Sequence, residues 1–363
     1  MKKIKVGIIG CGFIAQYKHL PSLAKLEETV ELHAFCDIIA ERAQNAKEKY
    51  GTPTSYISSD YHELLNDASI DAIHVCTPNS THYEIVCEAF AANKHVMCEK
   101  PMTISGEEGR KMVEAAKKSG KKFTVGYQNR FRDDAIYLRE MVDLGRLGDI
   151  YYGQAFALRR RAVPTWGVFM DKEKQGGGPL IDLGTHALDL TLWYMNNYEV
   201  ESVTGSVFSK MADKFEGNLC GPWDPAEYEV EDSAFGFIKM KNGATINLYA
   251  SWVLNIMEAR EACTALSGTN GGAEMTMKGL TYDCKLNYVE GGRLVDAHVN
   301  FADKIAFGPD GSFETEGDRE AKQWIDSIIN DHDPLVLPEQ ALIVTEVLEA
   351  IYKAAATGEM VKF

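Results

Sequence analysis

Short apolar runs alternate with stretches of helical periodicity in the first third of the chain. The apolar runs are four to seven residues long and rich in Val, Ile and Phe, which is typical of buried strands. Strands that alternate with helices predict a parallel sheet covered on both faces. The predicted strands are residues 4–9, 30–36, 72–76, 95–98 and 123–126, and the predicted helices include residues 40–50, 83–92 and 107–119.

The pattern changes after Gly126. One helical stretch, 133–144, is followed by longer runs in which apolar and polar residues alternate, and Lys241-Asn242-Gly243-Ala244 indicates a hairpin turn between two of them. This rhythm predicts a second α/β domain with a large, mostly antiparallel open sheet. The strands expected there are residues 150–158, 200–207, 233–240, 244–252 and 263–267.

We therefore expect two domains, 1–126 and 127–363. Two closing helices, 320–330 and 338–357, are assigned to the second domain, with packing back on the first as the alternative. A chain of 363 residues is long enough to give each domain its own core.

Composition narrows the possible environments and partners. The eight cysteines are scattered without a Cys-x-x-Cys pair, which favours reduced thiols over disulfides or a zinc site. A formal net charge of -15 argues against nucleic acid or an anionic membrane as partner. The apolar run after Met1-Lys2-Lys3 is shorter than the core of an export signal, and no run reaches membrane-spanning length. These features predict a cytoplasmic protein.

The turn after the first predicted strand carries a nucleotide-binding pattern. Gly10-Cys11-Gly12-Phe13-Ile14-Ala15 matches G-x-G-x-x-A and precedes a helical stretch. The glycines allow a tight turn and close approach of a pyrophosphate, and the helix offers its first amides to the negative charge. The pattern alone is weak evidence, but its position after a strand predicts a Rossmann domain.

Asp37 follows the second predicted strand, where a carboxylate in this fold binds the adenosine ribose hydroxyls. An ordinary helix cap is the alternative. The next residue is Ile38 rather than Arg, so Asp37 would repel a 2′-phosphate, which favours NAD over NADP. His19, which follows the loop, is expected either near the cofactor or buried in its helix.

A second chemical signal lies in the segment from Gly176 to Leu190. If the run after Pro179 is helical, Asp182 and His186 share one face beside a flexible Gly-rich stretch. A carboxylate that holds an imidazole is suited to proton transfer. The alternative is a helix-start Asp with a core His. Together with Asp189 the pair resembles a metal site, but no second imidazole or thiolate accompanies it, so no metal is predicted.

The predicted strand ends of the first domain hold further polar residues. Ligands of such sheets bind at the carboxyl ends of the strands, and clefts between domains are frequent substrate sites. Helix capping or an exposed turn is the alternative for several of these residues. The segments are Thr77-Pro78-Asn79-Ser80-Thr81-His82, Glu99-Lys100-Pro101 and Tyr127-Gln128-Asn129-Arg130-Phe131.

Taken together and in this order, the glycine motif, Thr77-Pro78-Asn79, Glu99-Lys100-Pro101 and Gly177-Gly178 with Asp182 and His186 resemble the Gfo/Idh/MocA family. The resemblance implies an N-terminal Rossmann domain and a C-terminal α/β domain on a large open sheet. It also implies homodimers or homotetramers packed through that sheet. The implied reaction is reversible oxidation of a sugar or cyclitol hydroxyl by a nicotinamide cofactor.

The resemblance also implies residue roles. Lys100, Asp182 and His186 match the catalytic positions; a neutral imidazole can take the hydroxyl proton, while a lysine cation stabilises the developing alkoxide. Expected substrate-binding residues are Lys100, Arg130, Arg160, Trp166, Asp182 and His186. Expected cofactor-binding residues are Gly10, Gly12, Phe13, Ile14, Asp37, Thr77, Pro78, Asn79, His82, Glu99 and Gln128.

Some of these roles have structural alternatives. Arg159-Arg160-Arg161 is also compatible with a solvated strand end, and Trp166 with core packing rather than stacking on a sugar ring. Two loops, 162–178 and 211–231, are expected to shape the pocket. The second contains Trp223, Asp224 and Tyr228, groups suited to a polyol or glycoside.

The expected function is NAD-dependent oxidation of a ring secondary hydroxyl in a small sugar, glycoside or cyclitol. One alternative is an NAD-retaining glycosidase or lyase that oxidises a sugar carbon transiently and then eliminates a leaving group. A non-catalytic NAD-binding sensor subunit is the other alternative, and it predicts erosion of the lysine or histidine position.

Overall fold

A parallel six-stranded sheet forms the centre of the first of two units into which the chain divides. The computed structural model describes residues 3–278, 281–299, 301 and 313–363. The first unit takes Met1–Phe131 and Phe307–Leu342, and the second takes Arg132–Ala306 and Ile343–Phe363. The strands of the first sheet are β1 (Ile4–Ile9), β2 (Val30–Cys36), β3 (Tyr56–Ser58), β4 (Ala72–Val75), β5 (His95–Cys98) and β6 (Phe123–Val125).

These strands lie in the order β3-β2-β1-β4-β5-β6, with parallel neighbours throughout. The order reverses direction beside β1, the switch point at which a Rossmann sheet binds its ligand. The prediction of a Rossmann fold is confirmed. The three-residue β3 was missed because so short a run carries no readable period.

Ten α-helices are described along the chain. The last of them begins in the first unit and ends in the second. They are α1 (Leu20–Ala24), α2 (Ala40–Tyr50), α3 (Tyr61–Asn66), α4 (His82–Ala91), α5 (Gly106–Ser119), α6 (Asp133–Asp143), α7 (Lys172–Gln175), α8 (Thr185–Met195), α9 (Glu316–Ile329) and α10 (Pro338–Thr357).

Helix α9 is part of the core of the first unit. Trp324 and Ile325 are buried in one apolar cluster with Val6 and Ile8 of β1. Burial of such side chains contributes about 1.5–3 kcal/mol each, so α9 is a major stabilising element of this unit. The helix begins at Thr315, whose hydroxyl and backbone form a capping box with Asp318.

The second unit contains a nine-stranded sheet. Strands β7 and β10 pair in parallel, while the other neighbouring strands pair antiparallel, in the order β14-β13-β12-β11-β7-β10-β9-β8-β15. The prediction of a large, mostly antiparallel sheet is confirmed. Its strands are β7 (Ile150–Leu158), β8 (Val200–Phe208), β9 (Ser233–Met240), β10 (Thr245–Ser251), β11 (Arg260–Gly268), β12 (Gly271–Lys278), β13 (Thr281–Glu290), β14 (Arg293–His298) and β15 (Val361–Lys362).

Two hairpins of the large sheet have glycine turns, of which one was predicted and the other was missed. The predicted turn before Ala244 is confirmed: β9 and β10 pair antiparallel around it, and Gly243 has φ +89°. The β13–β14 hairpin was missed, although Gly291 and Gly292 have φ values of 57° and 75°. Two consecutive positive φ angles are the signature of a type I′ turn, and Gly-Gly between alternating strands was the available signal.

Helix α8 packs on one face of the large sheet, against β7 and β11. Its residues from Thr185 to Tyr194 are all buried, so the helix shields this face of the sheet from solvent. Within the part of the chain that the structure describes, every helix is too short or too polar to span a lipid bilayer.

Candidate active site

The glycine loop between β1 and α1 has the shape of a phosphate cradle. Gly10 has φ +88°, and a Cβ there would lie 2.6 Å from the Cys76 carbonyl oxygen. A Cβ on Gly12 would meet no atom within 4 Å. The first glycine is therefore needed for the turn, and the second leaves open space where a ligand can approach the backbone.

Asp37 lies at the end of β2 and holds this loop. Its Oδ2 accepts a hydrogen bond from the Cys11 amide at 2.9 Å, and its Oδ1 accepts one from the Ile39 amide at 2.8 Å. Each carboxylate oxygen keeps a second lone pair for a ribose hydroxyl. The residue that follows is Ile38, so no cation stands directly beside the carboxylate in sequence.

His82 joins two of the strand-end segments. Its fully buried ring places Nδ1 2.9 Å from the Pro101 carbonyl oxygen and Nε2 3.0 Å from that of Thr77. The imidazole therefore lies between the turn after β4 and the turn that follows Lys100. Pro78 precedes Asn79, which is buried at the start of a short 3-10 helix.

Glu99 and Gln128 are the inward-facing members of the predicted cofactor set. Glu99 Oε1 lies 2.6 Å from Lys18 Nζ and 2.7 Å from His19 Nε2, and its Oε2 accepts the Lys100 amide at 3.1 Å. Although burial opposes it, the Lys18 charge and the His19 hydrogen bond hold the pKa of Glu99 well below its usual range. Gln128 Oε1 is buried without a hydrogen-bond partner among the described residues.

The first unit thus fits a bound dinucleotide. Open space at Gly12, the carboxylate of Asp37 and the buried Gln128 oxygen supply a backbone cradle, a ribose acceptor and an unsatisfied polar atom. Phe13 is 67% exposed and stacks on Tyr17, with ring centroids 5.5 Å apart, while the neighbouring Ile14 is partly buried. Contacts of individual residues with the cofactor stay predictions.

Lys100 follows directly after β5 and Glu99 at the carboxyl end of the first sheet. Its residue is half-buried, and its backbone is held from two directions, through its own amide by Glu99 and through Pro101 by His82. A lysine on a turn fixed in this way is pre-organised, which is what stabilisation of a developing charge requires.

In the second unit, the glycines before Asp182 are positions of close packing. A Cβ on Gly177 would lie 2.0 Å from the Tyr352 hydroxyl oxygen, and one on Gly178 would lie 2.1 Å from the Glu231 carbonyl oxygen. Both glycines are buried. The expectation of a flexible Gly-rich stretch is wrong at these two positions, because their backbone is enclosed by neighbouring atoms.

Glu231 caps the segment that carries the candidate base. Its carboxylate accepts the Gly178 amide at 2.8 Å, the Leu180 amide at 3.1 Å and the Tyr352 hydroxyl at 2.8 Å. Burial raises the pKa of this carboxyl above its usual value, against the opposing effect of those hydrogen bonds. Glu231 therefore fixes the direction in which the chain enters the helical run.

Asp182 and His186 lie on a continuous helical run, as predicted. Leu180–Gly184 is a π-helical turn that leads directly into α8, and such turns are frequent at functional sites. Asp182 is 6% exposed, and its Oδ2 accepts a hydrogen bond from Trp252 Nε1 at 2.9 Å. His186 is 8% exposed. The arrangement provides a buried carboxylate of fixed orientation one helical turn before a buried imidazole.

The other predicted substrate residues have mixed surroundings. Arg130 is fully buried, and its guanidinium donates to Gln340 Oε1 at 2.7 Å, which gives it a structural role in the first unit. Arg160 is exposed, whereas its neighbour Arg159 pairs with Glu261 at 2.6 Å. Trp166 is 47% exposed and therefore retains a free ring surface. Substrate contacts of Arg130, Arg160 and Trp166 stay predictions.

Two aromatic side chains of the loop 211–231 face the interior of the loop, and the expected role of the loop in shaping the pocket stays a prediction. Trp223 and Tyr228 are buried and pack on each other, with ring centroids 5.5 Å apart, and the Trp223 indole donates to the Ala212 carbonyl oxygen at 2.6 Å. Asp224 Oδ1 accepts the Ala226 amide at 2.9 Å as a helix cap. The two aromatic rings stabilise the loop instead of offering a surface to a sugar.

Sequence reasoning missed Glu231 and Trp252 because both contact the Asp182 segment from far along the chain, at separations of 53 and 70 residues. It also missed Lys18, which binds Glu99, and it missed His74 and Trp324, which follow His19 in a series of hydrogen bonds. Glu231 lies in the acidic end of the predicted loop 211–231, where no local signal distinguishes a buried carboxylate from an exposed one. Among the described residues no group of three His, Cys, Asp or Glu side chains is placed to hold a metal ion.

Comparison with known families agrees with the fold. The description "Oxidoreductase family, NAD-binding Rossmann fold" matches residues 4–127, and "Oxidoreductase family, C-terminal alpha/beta domain" matches residues 139–363. The chain belongs to the Gfo/Idh/MocA oxidoreductase family. The predicted resemblance is confirmed, and the protein is an enzyme of a family that contains sugar and inositol dehydrogenases.

Two curated relatives are informative. The chain is 35% identical over 363 residues to D-glucoside 3-dehydrogenase of Escherichia coli (strain K12), which covers 99% of this chain and 97% of that protein. It is 32% identical over 200 residues to myo-inositol 2-dehydrogenase of Thermotoga maritima, covering 55% of this chain and 57% of that protein. The likeness to the first therefore spans both units, whereas the second covers about half of each chain.

Solved structures share the whole fold. Levoglucosan dehydrogenase in complex with NADH and levoglucosan superposes with a TM-score of 0.84 at 20% identity, over 99% of both chains. Aldose-aldose oxidoreductase from Caulobacter crescentus, complexed with glycerol, superposes with a TM-score of 0.80 at 24% identity, over 100% of both chains. At these identities the likeness concerns the fold alone.

Proposed function

We propose that this enzyme is an NAD-dependent dehydrogenase that oxidises a ring secondary hydroxyl of a glucoside or a closely related sugar. The observation that carries the proposal is the buried Asp182 and His186 pair on one helical run, with the carboxylate fixed by Trp252. A buried imidazole beside an oriented carboxylate is what a proton acceptor for an alcohol requires. Full-length likeness to a D-glucoside 3-dehydrogenase supports the substrate class.

In the proposed reaction, His186 accepts the proton of the hydroxyl that is oxidised. Lys100 donates a hydrogen bond to the same oxygen and stabilises its developing negative charge. Asp182 orients the imidazole or accepts a hydrogen bond from a neighbouring hydroxyl. Bound NAD would supply the acceptor for the hydride that leaves the carbon.

NAD is the proposed cofactor rather than NADP. Asp37 is held at the end of β2 by two backbone amides, so its carboxylate cannot easily turn away from a ribose 2′-position. A 2′-phosphate would place two or nearly two negative charges beside it, with the apolar Ile38 as its sequence neighbour. Repulsion therefore favours the cofactor with a free hydroxyl.

We also propose that the enzyme is a homodimer or homotetramer packed through the face of the large sheet opposite α8. That face carries a row of neighbouring aromatic rings: Phe156 stacks on Tyr249 at 5.3 Å, and Phe235 lies 6.3 Å from Tyr249. Phe237, on the same face of β9, is 44% exposed. Light scattering should give a mass above that of one chain, and Phe237→Glu should lower it; a monomeric wild-type protein would contradict the proposal.

The proposed activity is tested by following NADH formation at 340 nm. Purified enzyme and NAD are offered methyl D-glucosides, free aldoses and inositols, and the product is reduced with borodeuteride to locate the oxidised carbon. We expect turnover with D-glucosides and label at one ring carbon, with position 3 as the first candidate. NADP in place of NAD should give slower turnover.

Two results would contradict this proposal. Cleavage of the glycoside with NAD retained and no net NADH would favour transient oxidation followed by elimination. Tight NAD binding with no turnover of any hydroxyl compound, and no effect of Lys100→Ala, would favour a binding protein without catalysis.

A further inference from the structure

A buried cluster of titratable side chains lies within the first unit, directly behind the Glu99-Lys100 turn. Lys18, His19, His74, Glu99 and Glu320 are each less than a tenth exposed. Lys18 Nζ lies 2.6 Å from Glu99 Oε1 and 2.9 Å from Glu320 Oε2. Isolated charges are not buried at this depth without partners, so the cluster has to be arranged as a unit.

The hydrogen bonds within this cluster have one possible direction. Trp324 Nε1 can only donate, and it lies 3.1 Å from His74 Nε2, which must therefore be an acceptor. A neutral His74 then carries its proton on Nδ1, 3.0 Å from His19 Nδ1. His19 accepts there, carries its own proton on Nε2 and donates it to Glu99 Oε1 at 2.7 Å. Each tautomer follows from the one before.

The surroundings of both rings favour their neutral forms. Burial and the nearby Lys18 charge lower the pKa of His19, and burial together with His19 lowers that of His74 well below its usual value. The two rings also meet edge to face at a centroid distance of 5.1 Å. An additional proton on His19 would place two donors against each other at the Nδ1–Nδ1 contact, and one on His74 would place two donors against each other at Trp324 Nε1.

The relay ends at the backbone of Lys100. Glu99 receives His19 and Lys18 on Oε1, which leaves Oε2 to accept the Lys100 amide at 3.1 Å. The space around this carboxylate is full: a Cβ on Gly126 would lie 2.9 Å from Glu99 Oε1. The Glu99 side chain therefore has one orientation, and that orientation fixes the turn from which the Lys100 side chain starts.

We propose that Trp324, His74, His19 and Glu99 form a hydrogen-bonded relay of fixed direction that positions Lys100. In this proposal, which rests on the proposed role of Lys100 in sugar oxidation, the two histidines are positioning residues and do not exchange protons with the substrate. The proposal assigns Glu99 of the Glu-Lys-Pro segment the role of holding the Lys100 backbone. It also links helix α9, through Trp324, to Lys100.

The tautomers are tested first, because this readout does not depend on turnover. Nitrogen-15 NMR of the full-length enzyme at pH 7 should show His74 neutral with its proton on Nδ1 and His19 neutral with its proton on Nε2. The Lys100 amide should exchange slowly with solvent. A cationic ring, or either ring in the opposite tautomer, would overturn the proposal even if no sugar substrate had been found.

Trp324→Phe removes the first donor while it keeps an aromatic ring. We expect faster exchange of the Lys100 amide and a fall in kcat of roughly tenfold or more, with the affinity for NAD retained, because misplacement of a reacting group costs turnover. His33→Gln is the matched control: His33 is 7% exposed on β2 and binds Glu31 at 2.8 Å, outside the relay. It should keep the wild-type kcat.

A pair of substitutions at His19 separates positioning from folding. Gln can place an amide N–H near the position of Nε2 and still donate to Glu99, whereas Leu cannot. His19→Gln should therefore retain more kcat and slower Lys100 amide exchange than His19→Leu. Equal kcat in both, or variants that lose thermal stability while kcat and amide exchange stay at wild-type values, would show that the relay is structural only.

Discussion

Lys100 and His186 belong to different units, and each unit holds its residue by different physical means. Around Lys100, buried charges and directed hydrogen bonds fix Glu99, which in turn holds the lysine backbone. Before His186, the chain is fixed by glycines with no room for a side chain and by backbone amides bound to Glu231. The arrangement around Lys100 depends on the balance of buried charges. The arrangement before His186 depends on the close packing of backbone atoms around the glycines.

The contrast predicts which kind of substitution disturbs the surroundings of each residue. A buried ion cluster loses stability when one partner is removed, because the remaining charge is left without compensation. A close-packed glycine turn loses stability when a single carbon is added, because the surrounding backbone leaves no space for it.

Both residues should be needed for catalysis to a similar degree. Lys100→Ala and His186→Ala should each lower kcat about 10³-fold or more while NAD binding is retained, since a charge-stabilising donor and a general base each contribute on this scale. Turnover and NAD fluorescence titration measure the two effects. The exposed Lys111→Ala and His332→Ala variants are controls and should match wild type; near-normal turnover in either test variant would remove that residue from the mechanism.

The stability of the glycine turn before His186 should fall when one carbon is added to it. Gly178→Ala should lower the free energy of unfolding by about 3 kcal/mol, because the new Cβ would lie 2.1 Å from a backbone oxygen. Urea unfolding followed by circular dichroism gives the value. Gly109→Ala is the control: there the Cβ would meet the end of the Leu342 side chain at 2.9 Å, and alanine improves helix propensity in α5. Equal stability of the two variants would contradict the contrast.

The buried ion cluster behind Lys100 should instead make the free energy of unfolding depend on pH, through the carboxyl of Glu320. Burial raises the pKa of this carboxyl to about 7, opposed by Lys18 and assisted by Glu99 and Glu316. A carboxyl whose pKa is higher in the folded than in the unfolded state stabilises the protein below the unfolded value, and this contribution is lost as pH rises through the folded value. Compared with Glu320→Gln, the wild-type protein should lose about 2 kcal/mol between pH 4.5 and pH 8.

Urea unfolding of wild type and Glu320→Gln at several pH values measures this difference, because titrating groups away from Glu320 are shared and cancel. Asp333→Asn, at an exposed position near α9, provides the matched control and should leave the pH dependence unchanged. A constant difference between wild type and Glu320→Gln from pH 4.5 to pH 8 would show that the carboxyl does not titrate in this range.

The smallest expected effect concerns the preference for NAD over NADP. Asp37→Asn keeps an acceptor for the Cys11 amide but removes the negative charge, so the preference for NAD over NADP should fall by about tenfold. Affinities for both cofactors, measured by fluorescence, give the ratio. Asp60→Asn, an exposed helix cap, should leave it unchanged. An unaltered ratio in Asp37→Asn would mean that another residue discriminates the 2′-position.

Local pattern was sufficient for much of the fold. Strands β1, β2, β5, β7 and β9 and helices α2 and α10 have the predicted bounds, because their apolar periods are uninterrupted and turn residues flank them. Strands β12 to β14 were missed, since their polar, half-exposed residues carry a weak period and the Gly291-Gly292 turn was not used. A local period cannot report pairing with a distant strand.

By itself the sequence determined the fold class, the family and the residues whose chemistry suits hydride transfer, since glycine loops, strand-end polar residues and the Asp182 to His186 spacing are local features. Tertiary structure alone decided how those residues are held. It showed that Gly177 and Gly178 are enclosed, that Trp252 binds Asp182, and that Glu99 binds the buried side chains of Lys18 and His19. The physical reason is that burial and hydrogen-bond direction depend on partners far away in the chain, whose approach no local pattern encodes.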